Sequence, residues 1–421
     1  MSFSIDIFHN FGYNYLAKSI GKEVDVLALI YPENVALIAK ILNKNGYKAY
    51  AVGGCMRDAV MGRVPNDWDM TTDCSPEMML EIFESAGIRT IPTGLKHGTV
   101  SVLLDGETYE CTTFRIDGSY TDSRHPDKVT FTSDISEDLR RRDFTVNAMA
   151  GDPLSDEGMI IDIFGGGEDI EKKIIRAVGD PETRFTEDAL RILRAVRFAT
   201  VLDFEIDNET KSAAIKLGCR LADISAERKS AELQKILLSP FADRGISLLL
   251  EMGLARYIHP GIVIPMVALG GLPNRLSTRL AALFDGMPDL SCMKLSGEVT
   301  RQTELLCDGM LYREISEKFE GIGATARLML SKYGEIAYDA ALLRSNTALA
   351  EAIVSEIAKN PCVSIKGLAV GGNDLKSLGI QGKRLGEIMS YLLFSVIEKP
   401  SLNEKENLIK IALELYRNER N

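Results

Sequence analysis

The spacing of apolar positions changes along this chain and sorts it into two regimes. Residues 33–45 (ENVALIAKILNKN) set Val35, Ile38, Ile41 and Leu42 on one face, the period of an amphipathic helix. An apolar run ending at Val52 suits a buried strand, Gly53-Gly54 turns the chain, and Cys55 to Met61 can form a short helix. Asp67-Trp68-Asp69-Met70 alternates as a half-buried strand does. Ser75-Pro76 reads as an N-cap and first helical residue of a helix that runs to about Ala86 and stops at Gly87. Strands are expected in TVSVLL and TYECTTFR, whereas the polar, Gly- and Pro-punctuated residues 113–139 are expected to be a mobile loop. IDIFGGGEDIEKKI joins a strand-like run, a glycine turn and a helix. From residue 184 the helical period takes over: RFTEDALRILRAVRFA carries Leu190, Leu193 and Phe198 at apolar positions. Beyond about residue 240 consecutive helices with short Gly, Pro and Asn breaks are expected, without repeats or low-complexity segments.

Composition narrows the class. With 421 residues, 45% hydrophobic and 26% charged, the chain reads as a soluble globular protein of several domains. A net charge of −11 argues against indiscriminate nucleic-acid binding and against DNA as a partner, and leaves room for a local RNA-binding patch. Seven Cys without a CxxC pair suit reduced thiols and a cytoplasmic location. The four His form no HD pair, which disfavours an added metal phosphohydrolase domain. The start, MSFSIDIFHNFGYNY, has no signal-peptide pattern. The longest apolar stretch, around GIVIPMVALGGL, is too short to span a membrane. No obligate protein partner is evident. Gly165-Gly166-Gly167 lacks the GxGxxG spacing of a dinucleotide loop, so a nicotinamide oxidoreductase is not supported.

The chemistry concentrates in residues 48–72, KAYAVGGCMRDAVMGRVPNDWDMTT. Gly53 and Gly54 let backbone approach a ligand, a triphosphate fits over the turn, and Arg57 is placed to clamp a phosphate oxygen. Asp67 and Asp69, two apart on a strand, project together toward the turn. Two neighbouring carboxylates repel unless neutralised, and Mg²⁺ does this with hard oxygen ligands. Two such ions clamp the attacking and leaving oxygens of a phosphoryl transfer. A lone Asp-x-Asp is usually a solvated strand end; the glycine turn, Arg57 and Asp58 ahead of it change the balance. Glu110, on the strand TYECTTFR, is the candidate third carboxylate, its bland alternative being a solvated strand residue. In DLRRRDFTVNAMA, an arginine pair can hold phosphates by forked hydrogen bonds, and Asp143 can accept from a ribose hydroxyl.

The pattern GGxxRDxxxGxxxxDxDxxT resembles the signature of the polymerase-β nucleotidyltransferase superfamily, and more narrowly that of class II tRNA nucleotidyltransferases (CCA-adding enzymes) and bacterial poly(A) polymerases. The resemblance runs over about residues 32–235 and continues more weakly to the C-terminus. It implies an α+β fold: a small mixed-sheet nucleotidyltransferase head, 32–164, behind an N-terminal extension, 1–31. All-helical neck (165–238), body (239–310) and tail (311–421) follow. It implies catalysis by Asp67, Asp69 and Glu110, with Mg²⁺ on Asp67 and Asp69. It implies nucleotide binding by Gly53, Gly54, Arg57, Arg142, Asp143, Asn147 and Arg194. EDxxR resembles the family's amino-acid template for the incoming base, here Asp188 and Arg191 on one helical face, with Glu187 orienting Arg191 from behind. Cytosine and adenine each present an amine donor beside a ring-nitrogen acceptor, which a carboxylate and a guanidinium complement. Guanine and uracil reverse both groups, and each lost buried contact costs about 1–3 kcal/mol.

Lys96-His97-Gly98-Thr99 resembles the family's KHGT loop, where His97 either places nucleotide or primer or is merely structural. Arg115, Asp122, Arg124, His125 and Pro126 keep intact the loop whose shortening marks CC-only relatives. Asp162 and Arg176 match a head–neck joint, expected as a hinge; Glu227, Arg228 and Glu232 are expected to brace the template helix. In the tail, Gly371-Gly372, Lys376, Gly382, Lys383 and Arg384 are candidates for tRNA backbone contacts, or form a plain helix connector. The implied activity is addition of CCA to tRNA from CTP and ATP. An A-adding-only enzyme, a poly(A) polymerase and an RNA-binding protein with a degenerate head are the alternatives.

Overall fold

The computed structural model describes residues 31–118, 129–155 and 159–418. They divide into two compact units, one running to Ile236 with Glu251–Ile258 added, the other formed by Leu237–Leu250 and the chain from His259 onward. The expected extension, but for Tyr31, and Asp122, Arg124, His125 and Pro126 lie outside the described residues.

The first unit is built on a seven-stranded mixed sheet. Helix α1 (Glu33–Lys44) buries Val35, Ile38, Ala39 and Leu42, the face its period foretold. Strand β1 (Ala49–Val52) leads through Gly53 into α2 (Gly54–Val60), and β2 (Met70–Thr72) returns beside β1. In α3 (Pro76–Ser85) the Ser75 hydroxyl accepts from the N–H of Met78, the cap that the Ser-Pro pair announces. Strands β3 (Arg89–Gly94), β4 (Thr99–Leu104) and β5 (Glu107–Thr113) form an antiparallel meander, and β5 pairs parallel with β2. Among the described residues of the segment expected as a loop, β6 (Arg115–Asp117) pairs with β7 (Val129–Phe131), and α4 (Ile135–Arg140) follows. Strands β8 (Met149–Gly151) and β9 (Ile160–Asp162) complete the sheet in the order β3-β4-β5-β2-β1-β8-β9. One core packs on it, holding Met56, Trp68, Met70, Met79, Phe83, Val100 and Val102.

The triple glycine is a closely packed turn. Gly165 has φ 74°, and a Cβ on Gly166 would lie 2.3 Å from the carbonyl oxygen of Thr145. Asp162 accepts from the N–H groups of Gly166 and Gly167, starting α5 (Gly166–Glu171). Arg176 then pairs with Asp169 and Asp207, so the segment expected as a hinge is pinned from both sides. A short parallel pair, β10 (Ile174–Ile175) with β11 (Glu205–Ile206), brackets α6 (Pro181–Glu187) and α7 (Leu190–Leu202). Next come α8 (Asn208–Leu217) and α9 (Ala226–Leu237).

The second unit is helical: α10 (Ala242–Glu251), α11 (Leu276–Ala281), α12 (Gly297–Cys307), α13 (Gly309–Ser316), α14 (Ile322–Tyr333), α15 (Ala337–Leu342), α16 (Thr347–Ala358), α17 (Gly372–Ser377), α18 (Gly382–Glu398) and α19 (Lys405–Asn418). One apolar cluster joins α12 to α16, a second joins α17, α18 and α19. Buried arginines terminate helices here. Arg327 donates to the carbonyls of Ile397 and Glu398 at the end of α18 and pairs with Glu356 at 2.8 Å. Arg279 does the same for the carbonyls of Leu237 and Ser239.

Candidate active site

Gly53 adopts φ 85°, a conformation that side chains disfavour, and this turns β1 into α2. A Cβ there would sit 3.1 Å from Nη1 of Arg142, and one on Gly54 would sit 3.7 Å from Nη2 of Arg57. Two guanidiniums therefore flank the glycine turn. Arg57 is itself held by Asp58 (2.9 Å from Nε) and by the side-chain oxygen of Asn147 (2.7 Å from Nη1).

The aspartates stand next to this turn. The strand begins at Met70, so Asp67 and Asp69 lie in the extended segment leading into it, not within it. Their alternation persists: Trp68 and Met70 are buried and the two aspartates exposed. The carbonyl of Asp69 accepts from the N–H of Val52 at 2.9 Å, which fixes Asp69 beside the residue that precedes the turn. Met70 pairs with Cys111, so the register carries Glu110 alongside Asp69. Although Asp69 as a residue is exposed, protein surrounding its carboxyl, then the charges of Asp67 and Glu110, push it up to about 6, against the pull of Arg142. Such mutual repulsion is what a divalent cation relieves. Among the described residues no three Asp, Glu, His or Cys side chains gather into a full ligand set. Two carboxylates are hard oxygen donors of the kind a divalent cation takes.

The RRDFTVNA segment is organised by a residue the sequence reading passed over. Asp138, fully buried on α4, accepts from Arg141 at 2.6 Å, from Arg142 at 3.2 Å and from Thr71 at 3.4 Å. Burial raises its pKa, but the two arginines outweigh it and the net direction is down. An acid three and four residues before an arginine pair on one helix was the available signal. Asp143 is buried with both oxygens engaged: Oδ1 accepts from the N–H of Phe144 and from Asn147, Oδ2 from Arg194. Burial raises its pKa, yet Arg194, Arg191 and Asn147 hold it at about 2. The basic stripe Arg194–Arg197 is turned inward, Arg194 onto Asp143 and Arg197 onto Glu232, each at 2.5 Å.

The EDxxR stretch is not one continuous helix. Asp188 has φ −138° and ψ 104° and separates α6 from α7, so it shares no helical face with Arg191. The reason is local: Oδ1 of Asp188 accepts from the N–H of Leu190, capping α7, while Oδ2 accepts from Arg228 at 2.8 Å. Arg191 is clamped by Glu187 at 2.6 Å and by the carbonyls of Arg184 and Arg141. Glu187 thus contacts Arg191, Arg228 contacts Asp188, and Glu232 contacts Arg197 of α7. His97 lies in an exposed 3₁₀ turn, its carbonyl accepting from Arg115 at 2.5 Å. In the second unit Lys376 is on α17 and Lys383 and Arg384 open α18; the Lys383 side chain is 93% exposed, and Arg384 pairs with Glu387.

A mixed sheet carrying a glycine turn and paired aspartates defines the class, a nucleotidyltransferase. Residues 49–176 match the family described as "Poly A polymerase head domain", and 203–264 match "Probable RNA and SrmB- binding site of polymerase A". A CCA-adding enzyme of Levilactobacillus brevis is 34% identical over 394 residues, covering 88% of this chain and 95% of that protein. One of Bacillus licheniformis is 38% identical over 396 residues, covering 89% and 94%. With one of Geobacillus thermodenitrificans the identity is 49% over 225 residues, which is 53% of this chain and 54% of that protein. The crystal structure of Bacillus stearothermophilus CCA-adding enzyme in complex with CTP superposes with a TM-score of 0.75 at 33% identity, over 91% of this chain and 97% of that one. The chain belongs to the family of CCA-adding enzymes. Among the described residues no helix is long and apolar enough to cross a membrane.

Proposed function

We propose that this protein completes the 3′ end of tRNA by adding CCA from CTP and ATP, in the cytoplasm, with Mg²⁺ as its metal. The observation that carries this is 34% identity maintained over 95% of a CCA-adding enzyme. The proposed template residues, Asp188 and Arg191, lie in the same compact unit as the head. Relatives of the same fold have been solved with CTP, with ATP and with tRNA. The cytoplasmic assignment draws on seven free cysteines.

In this reading the tRNA 3′-hydroxyl attacks the α-phosphorus of the nucleotide in line and pyrophosphate leaves. Asp67 and Asp69, with Glu110 beside them, would hold the divalent ions, which when bound neutralise charge on the attacking and leaving oxygens. Gly53 and Gly54 admit the triphosphate to the backbone, and Arg57 and Arg142 take its oxygens by forked hydrogen bonds. Asp143 and Asn147 hold Arg194 and Arg57 in place. Asp188 accepts from the exocyclic amine of the base and Arg191 donates to its ring nitrogen. Arg228 and Glu187 fix these two side chains against reorientation. Lys376, Lys383 and Arg384 contact tRNA phosphates, and His97 lies where primer or nucleotide enters.

The test uses tRNAs lacking CCA, ending in C, or ending in CC, each with CTP, ATP, GTP, UTP or CTP plus ATP. CCA addition followed by a stop is expected. Addition only to the CC-ended tRNA means an A-adding enzyme, long A tails a poly(A) polymerase, and no incorporation a degenerate head. Asp188→Ala and Arg191→Ala should each erode selection of C and A over U and G; retained selectivity in both would sink the template assignment.

A further inference from the structure

Phe198 is buried on α7, but its surroundings are not those of an ordinary core ring. The guanidinium carbon of Arg197 lies 3.8 Å from its centroid, that of Arg194 5.3 Å and that of Arg57 5.5 Å. All are within cation–π range of one ring. Phe144 packs edge-on against it at 5.7 Å. Each cation also has a carboxylate: Asp58 for Arg57, Asp143 for Arg194, Glu232 for Arg197. Carboxylates fix the edges of these guanidiniums, and only the ring is common to all three. Two arginines come from the ring's own helix, whereas Arg57 comes from α2, directly behind the glycine turn.

We propose that Phe198 is a positioning residue for nucleotidyl transfer, holding Arg57 at the glycine turn where it meets the triphosphate. Three like charges converge here, and the negative quadrupole of one ring attracts all of them. An aliphatic side chain of similar volume fills the space but offers no such attraction. Arg57 then keeps Asp58 and Asn147 and loses the support that links it to α7. The effect falls on the triphosphate and spares the base, because Asp188 and Arg191 are held by other partners.

The proposal rests on the reading of Arg57 as a triphosphate contact, and the experiment separates the two. Full-length Phe198→Met, Phe198→Leu, Phe198→Tyr, Arg57→Ala and Phe83→Leu are compared in CCA addition to tRNA. Phe83 is a buried ring in the head core and controls for general loss of packing. The readouts are KM for CTP and ATP, kcat, inhibition by inorganic pyrophosphate, C/A selectivity and Tm. Loss of Phe198 as Met or Leu should raise both KM values and the pyrophosphate inhibition constant about tenfold, between the effects of an exposed and a desolvated cation–π contact. C/A selectivity should hold, and Tyr should restore wild-type values. If Met and Leu behave like Phe83→Leu, losing Tm alone, Phe198 is only core and the proposal is overturned. If Arg57→Ala weakens pyrophosphate inhibition and the Phe198 variants do not, the role of Phe198 fails while that of Arg57 stands. If Arg57→Ala has no effect, both fail.

Discussion

Replacing Asp143 with Asn separates charge from shape where the RRDFTVNA segment meets α7. The amide keeps an oxygen for Phe144 and Asn147 but presents no charge to Arg194. A fall from the ordinary 3.8 to about 2 corresponds to about 2 kcal/mol of stability at neutral pH, at about 1.4 kcal/mol per pH unit. Removing one member of a buried pair can cost about 3–5 kcal/mol. The Arg194 side chain is 34% exposed, however, and can rehydrate, so the smaller figure governs. The folded pKa is depressed, so this stability is complete above the unfolded value and is lost as pH falls through the folded one. Urea unfolding followed by Trp68 reports the head, because Trp68 is the chain's one tryptophan and is buried in that core. With a slope of about 2 kcal/mol per M, the variant's midpoint should fall by about 1 M at pH 7. The drop should be almost as large at pH 5, and the two proteins should converge only below about pH 2. Equal midpoints at pH 7, or a gap that widens toward acid, would refute the argument.

Other outcomes follow from the same geometry. Asp69 must be ionised to hold a cation, and its carboxyl is pushed up to about 6, so addition should decline as pH drops through that value. Raising Mg²⁺ should move the midpoint lower, and an immovable midpoint in a magnesium titration would assign it to another group. Gly53→Ala forces a side chain into a glycine-only conformation, at about 1–3 kcal/mol, and against Arg142; kcat/KM for both nucleotides should fall tenfold or more. Arg327→Met should lower Tm by an amount equivalent to about 3 kcal/mol, the low end for a broken buried pair because Glu356 keeps Lys359. Calorimetry on the intact protein reads this directly.

Much of the head was legible because single residues there have strong local consequences. Ser75 and Pro76 name a helix start, Gly53 names a turn, and alternation around Trp68 assigns faces even though the strand begins later. The break at Asp188 was hidden because FTEDALRIL contains no Gly or Pro and its helical period runs unbroken. The interruption comes from a side chain capping its own neighbour and from Arg228, forty residues away. Asp138 and Phe198 escaped for the opposite reason. An acid and a phenylalanine in helices look ordinary until the fold surrounds them with arginines. The β6–β7 pair was invisible because its strands are three residues long and set among mixed charges.

The arginines around the glycine turn are never bare: Arg57, Arg142, Arg194 and Arg197 each have an internal acid within 3.2 Å. An anion arriving alone must compete with those acids and with the repulsion of Asp67 and Asp69. In the proposed reaction, a nucleotide carrying its own divalent counter-ion would offer oxygens to the guanidiniums and a cation to the aspartates at once. In an acidic protein of net charge −11, the site proposed above would disfavour a stray phosphate and favour the metal–triphosphate chelate as one unit.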